Sequence, residues 1–240
     1  MRGCLTFLLV VAATVLIASW LLLPAAAAEV MTGAIGAAGF SGTGTAVTVT
    51  AEPPIALLAL HADRVRVRST NATFHEVRMA RVDVTLGDVA LLDRTAGSVD
   101  GTLTGVEIDP PGGPPIHASS VVLSGSSAAI RATLSLSTED VTAIARSAVA
   151  AVAGASPSRV TLASPDRVTV AVGDQSLAGR LVIDAGGALV FHPTTPVGRI
   201  TGDVDLIRPG PDVPLRILTV SLTPTGATIA ATIDASALGG

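Results

Sequence analysis

The chain has no lysine, no tyrosine and one cysteine in 240 residues, with one asparagine (Asn71) and one glutamine (Gln175). Cys4 precedes the first apolar run, which argues against a lipoprotein attachment site. The remainder therefore has no disulfide to staple it, no thiolate metal site and no cysteine nucleophile. Past residue 28 the only aromatics are Phe40, Phe74 and Phe191. Single-stranded nucleic acid is held by aromatic platforms over a basic groove, and both are missing. Arg2 lies ahead of the apolar run, so the other 14 arginines face 19 acidic residues, a net charge of −5. No overall field seeks phosphate, and no nucleic-acid partner is expected. The same shortage of rings disfavours sugar binding by stacking.

Met1-Arg2-Gly3-Cys4 leads into an apolar run from Leu5 to Leu23, followed by Pro24, four alanines and Glu29. A positive start, an apolar stretch and small residues at its exit make up a secretory signal peptide. The stretch is also long enough to cross a bilayer as a helix. Two readings stay open for residues 1–28: a cleaved signal peptide, or a membrane anchor over residues 5–23 with Arg2 inside. Both place the rest of the chain outside the cytoplasm, secreted or held in the cell envelope. Residues 29–44, rich in glycine, read as a flexible tether, and residues 45–236 as one domain.

From Thr45 onward the dominant period is two. Val65 and Val67 alternate with Arg64, Arg66 and Arg68; Val82, Val84 and Leu86 with Arg81, Asp83 and Thr85; Ile130, Ala132, Leu134 and Leu136 with Arg131, Thr133 and Ser135. Further stripes follow at Val168–Val172, Ile200–Leu206, Leu218–Leu222 and Ile229–Ile233. Successive strand side chains point to opposite faces, so the pattern predicts half-buried antiparallel strands, about ten to twelve in all. Turn residues separate them at 109–115, 185–187, 209–211 and 224–226. One segment has helical spacing instead: Val141, Ile144, Ala145, Ala148, Val149 and Val152 form a single stripe. Ser137 or Thr138 can cap its start, Glu139 and Asp140 suit the positive end of the dipole, and Gly154 is placed to stop it. A shorter helical turn is expected over Ile55–His61. The predicted class is α+β, a long antiparallel sheet accompanied by one main amphipathic helix over about 138–153.

Catalytic patterns are scarce. His61, His75, His117 and His192 are scattered singly, without the short spacing that puts two ligands on one face. No Gly-Ser-Gly nucleophile elbow and no phosphate loop occurs. Asp203 and Asp205 would share a strand face and could share a cation or proton, though the polar face of an amphipathic strand explains them as well. No catalytic residue, metal site or cofactor is assigned. The one local excess of positive charge is Arg64, Arg66 and Arg68, with Arg78 and Arg81 shortly after. Arginine donates two hydrogen bonds at once to a phosphate, so Arg64, Arg66 and Arg68 are candidates for a lipid headgroup. A solvated strand face is the plainer explanation.

The order of motifs is also informative. Val47-Thr48-Val49-Thr50-Ala51-Glu52-Pro53-Pro54 is followed by the apolar turn Ile55–Leu60 and the strand Asp63–Val67. Leu134–Val141 leads a strand into the helix, and Leu177–Leu181, Leu189–Pro193, Pro214–Ile217 and Val220–Gly226 close the chain. Over about residues 45–236 this order resembles the LmeA-like family of exported proteins, formerly a domain of unknown function. The resemblance implies a non-enzymatic phospholipid-binding protein that serves the upkeep of a mycobacterial-type cell envelope; the alternative is a structural or scaffold protein of the envelope that binds no lipid. It also implies a tubular lipid-binding type of fold, in which a long curled antiparallel sheet wraps a helix and leaves an apolar groove for acyl chains. Phospholipid and a membrane are the partners implied. Relatives tend to carry a charged helix where this chain is Gly-rich at 29–44. Independently of the resemblance, inward aliphatic positions outnumber what one helix can cover, and the surplus could hold acyl chains.

Overall fold

A computed structural model of the chain describes residues 24–75, 77–91, 93, 95–108, 115–194, 200–208 and 215–233. The apolar run 5–23 and the turn residues expected at 109–114 and 209–211 lie outside them. The fold is mostly antiparallel sheet with few helices, an α+β protein. Among the described residues no helix is long and apolar enough to cross a membrane.

Helix α1 covers residues 24–37, and β1 (Phe40–Thr50) starts three residues later. The Gly-rich stretch 29–44 is therefore helix and strand, not an irregular tether. Gly33 and Gly36 have nothing within 4 Å of where a Cβ would stand, while Ala27, Ala28 and Met31 pack inward. Burial of that alanine-and-methionine side offsets the poor helix propensity of glycine on the other.

A 3-10 helix, Pro54–Ala59, follows β1. Then comes a meander of β2 (His61–Phe74), β3 (Val77–Ala90), β4 (Thr95–Ile108), β5 (Ile116–Ser126) and β6 (Ala129–Ser137). Helix α2 (Thr138–Ala153) leads into β7 (Arg159–Ala163), β8 (Arg167–Val172), β9 (Gln175–Ile183), β10 (Leu189–Pro193) and β11 (Val204–Ile207). β12 (Leu215–Thr223) and β13 (Gly226–Ile233) end the chain. Where one long sheet was expected there are two. The larger has the order β1-β2-β3-β4-β5-β6-β13-β12, and the smaller β11-β10-β9-β8-β7. The smaller sheet and α2 lie, in sequence, between two strands that are neighbours in space, with Ser137 at the end of β6 paired to Gly226 at the start of β13.

Helix α2 begins and ends where its sequence signals stand. The Asp140 amide donates to Ser137 Oγ at 3.1 Å and the Ser137 amide to an Asp140 carboxylate oxygen at 3.3 Å, a reciprocal cap. Gly154 closes the helix with φ 71°, the left-handed region that glycine enters without strain. Val141, Ile144, Ala145 and Val149 are buried, whereas Val152 at the far end is 42% exposed. The helix packs against both sheets.

Two hydrophobic cores lie under the inner face of the larger sheet. One joins that sheet to α2 and the smaller sheet, with Phe191, Leu177, Leu222, Val149 and Val170 almost wholly buried. The other lies beneath α1 and the 3-10 helix and gathers Val49, Leu57, Ala62, Val65, Val89 and Val99.

The inward positions do not keep strict alternation. The ladder skips one residue on each strand at Asn71, Ala80, Gly105 and Ser119, and again at Asp63, Asp88 and Gly97. Asn71 (φ 47°), Asp88 (φ 53°) and Gly105 (φ 58°) take the left-handed conformation there. Each interruption inserts a residue and restarts the in–out phase. Ser69 and Ala72 thus both face inward three residues apart, as do Met79 with Val82 and Ala118 with Val121.

Candidate binding surfaces

Between the two cores the inner face is incompletely covered. Val47, Val67, Val84, Gly101 and Leu123 are paired in one row across β1 to β5, and all five are half-buried. Val47 and Val67 border the smaller core, Leu123 borders the larger, and Val84 touches both. Gly101 lacks a side chain because Val84 and the backbone of β3 occupy the space a Cβ would need. Four inter-strand spacings make the row about 19 Å long. It forms a seam without a polar side chain.

A second apolar space lies between α2 and the sheets, bordered by Val141, Ile144, Leu181, Leu189 and Ile229. It has only about 10 Å³ of free volume, near the minimum for one water. This space is too small to admit an acyl chain.

Arg64, Arg66 and Arg68 alternate with Val65 and Val67 and stand on the opposite, outer face of the sheet. Arg66 spends its fork on Asp83, with Nε and a terminal nitrogen each 2.8 Å from a carboxylate oxygen. That hydrogen-bonded pair holds the Asp83 carboxyl below the usual carboxylate range and raises the Arg66 guanidinium above its ordinary value. Arg68 has a looser contact with the same carboxylate, 3.5 Å. Arg78, grouped with them by sequence, binds Glu107 at 2.9 Å. Arg81 instead joins Arg68: both border an open depression of about 280 Å³ together with Gly44, Thr70 and Asp83. Neither the seam nor this pairing is visible in a linear reading. The strand register creates both, setting Thr70 opposite Arg81 and Arg68 opposite Asp83.

The histidines are dispersed. His61 lies 3.3 Å from Asp88, and His192 lies 2.6 Å from Asp203. His117 stands between Glu107 and Asp140, 3.3 Å from each through opposite ring nitrogens. His75 stacks edge-on to Phe74. Asp205 pairs with Arg208 at 2.8 Å, so the two aspartates considered as a joint site have separate partners. Asp203 also precedes β11 instead of lying within it. Among the described residues no group of three or more His, Cys, Asp or Glu side chains is placed to hold a metal ion.

Comparison of the chain with protein-family models, with curated proteins and with solved structures gave no match.

Proposed function

We propose that the protein is an extracytoplasmic phospholipid-binding module that holds acyl chains and does no chemistry on them, in the manner of the LmeA-like family its motif order resembles. The seam carries this reading. Five consecutive strands present a half-buried row of Val, Gly and Leu, about as long as an acyl chain and unbroken by any polar group. Aliphatic walls suit flexible chains better than flat rings, and a curl of the larger sheet would close them around the ligand. Burying about fifteen methylenes at roughly 0.8 kcal/mol each would contribute about 12 kcal/mol before ordering costs. The packing of Ala27, Ala28 and Met31 on the smaller core supports a chain that stays uncut at Ala28 and remains anchored through residues 5–23. In this reading the protein serves the upkeep of envelope lipid.

The outer-face arginines share strands with the seam but not a face. A headgroup reaching Arg64, Arg66 or Arg68 from the seam would have to pass around the free edge of β1.

The test is retention of lipid by the full chain, extracted in a neutral detergent and measured by native mass spectrometry. Wild-type protein should carry phospholipid, and Val84→Asp, with a charge in the middle of the seam, should lose it while still melting cooperatively. An empty wild-type protein that takes up no lipid from vesicles would leave the chain a structural component of the envelope.

A further inference from the structure

We propose that the depression between Arg68 and Arg81 on the outer face binds the oxyanion of a phosphate ester, independently of the seam on the inner face. Register first brings the two guanidiniums together. Arg68 is paired with Asp83 and Thr70 with Arg81 on successive same-face rungs of β2 and β3, so the arginines stand diagonally across one small area. Their carboxylate supply is short. Asp83 is the acid bordering the depression, and Arg66 already takes both of its oxygens at 2.8 Å. Arg68 is left with a contact at 3.5 Å, and Arg81 has no acidic partner among the described residues. Two guanidiniums thus share one carboxylate, and Arg81 borders the same depression without one.

The edge strand keeps that space open. The β1–β2 register slips between Thr43 and Ala46, leaving Gly44 and Thr45 without a partner on β2. Gly44 takes φ 62°, and a Cβ there would meet nothing within 4 Å. The Thr45 hydroxyl turns to Ser69 at 2.9 Å and the Thr70 hydroxyl donates to the Thr43 carbonyl at 2.9 Å, so the donors free for an anion are those of Arg68 and Arg81. Guanidinium forks match phosphate oxygens in geometry as well as charge. The space of about 280 Å³ exceeds what a bare phosphate fills and leaves room for the first atoms of its ester. Such an ester could come from a lipid headgroup at a membrane surface or from a soluble metabolite, and the chemistry of recognition is the same.

The test uses the full chain in a neutral detergent, titrated calorimetrically with glycerol 3-phosphate, and the same chain reconstituted into vesicles of phosphatidylcholine with or without phosphatidylglycerol. Arg81→Gln and Arg68→Gln should each weaken glycerol 3-phosphate binding about tenfold, the loss expected for one charge-assisted contact. Arg64→Gln, which removes the same charge outside the depression, should change it less than about twofold once salt screens the general field. Melting curves of all three would establish that they fold. Competition between glycerol 3-phosphate and phosphatidylglycerol would identify the headgroup as the source, and binding of the soluble ester without that competition would identify a soluble one. Equal binding by wild type and Arg81→Gln, or an equal loss in Arg64→Gln, would overturn the proposal. The seam variant Val84→Asp should keep its phosphate binding, so failure of the acyl-chain reading and failure of this one are separate results.

Discussion

The two cores beneath the larger sheet are built differently although β2, β3 and β4 roof both. The larger core is closed from below by a capped helix and a second sheet, and it buries Phe191, Leu177 and Leu222 to 2% exposure or less. The smaller is closed by α1 and six residues of 3-10 helix, and much of it is alanine: Ala51, Ala62 and Ala96. An alanine removes far less apolar surface from water than leucine or phenylalanine. The smaller core therefore has less to lose on opening, and the end of the molecule near α1 is where local unfolding should begin. Stability within one continuous sheet need not be uniform, because it follows what lies underneath each stretch of strand.

Removing the ring at the centre of the larger core should have the largest effect. Phe191→Ala should cost about 3–5 kcal/mol and destabilise the whole domain, read as a lower urea midpoint with an unchanged slope. A loss below about 1 kcal/mol would mean that the two sheets are not held together through this ring. In the smaller core Leu57→Ala should cost about 2 kcal/mol, and the damage should be local. Hydrogen exchange should accelerate at the β1–β2 end near Val49 and Val65 while amides of β8 to β10 keep their protection. Uniform acceleration would show that the cores open as one unit and would remove the contrast. The smallest effect belongs to the outer face. Asp83 has its acidity strengthened by Arg66, so its folded value lies below its unfolded one. Its contribution is present above the unfolded value and is lost as the pH falls through the folded one. Wild type should lose a little more stability than Asp83→Asn on acidification through the carboxylate range, measured as melting temperature against pH.

Much of the strand content was legible because alternation is a direct image of a half-buried strand. Helix α2 was legible to its ends, since Ser137, Asp140 and Gly154 are local signals whose partners lie within one turn. The division into two sheets was not, because nothing near β6 or β7 says which strands will pair. Nor was the seam: alternation marked Val67 and Val84 as inward, but only the register sets Val47, Gly101 and Leu123 in one row with them. Helix α1 was missed because glycine spoke for a tether, and the burial of Ala27, Ala28 and Met31 is a tertiary effect. For the arginines the sequence located the cluster, but only register could separate Arg66, tied to Asp83, from Arg81, which faces the depression.

The pairing of Ser137 with Gly226 also makes one junction of the larger sheet distant in sequence. Six strands of the larger sheet meander with short connections, so they can zip together one hairpin at a time as the chain emerges from its N-terminal end. β6 then waits, its outer edge bare, until α2, the smaller sheet and the last hairpin have been made. Closing that long loop is entropically slow, and an unpaired strand edge is a template for a neighbouring molecule. The β6–β13 pairing needs glycine at 226, since a Cβ at that position would collide with the carbonyl oxygen of Leu136. A chain shortened before β12 would keep a sheet that can form and an edge that nothing ever covers, and aggregation, more than unfolding, is the failure to expect from it.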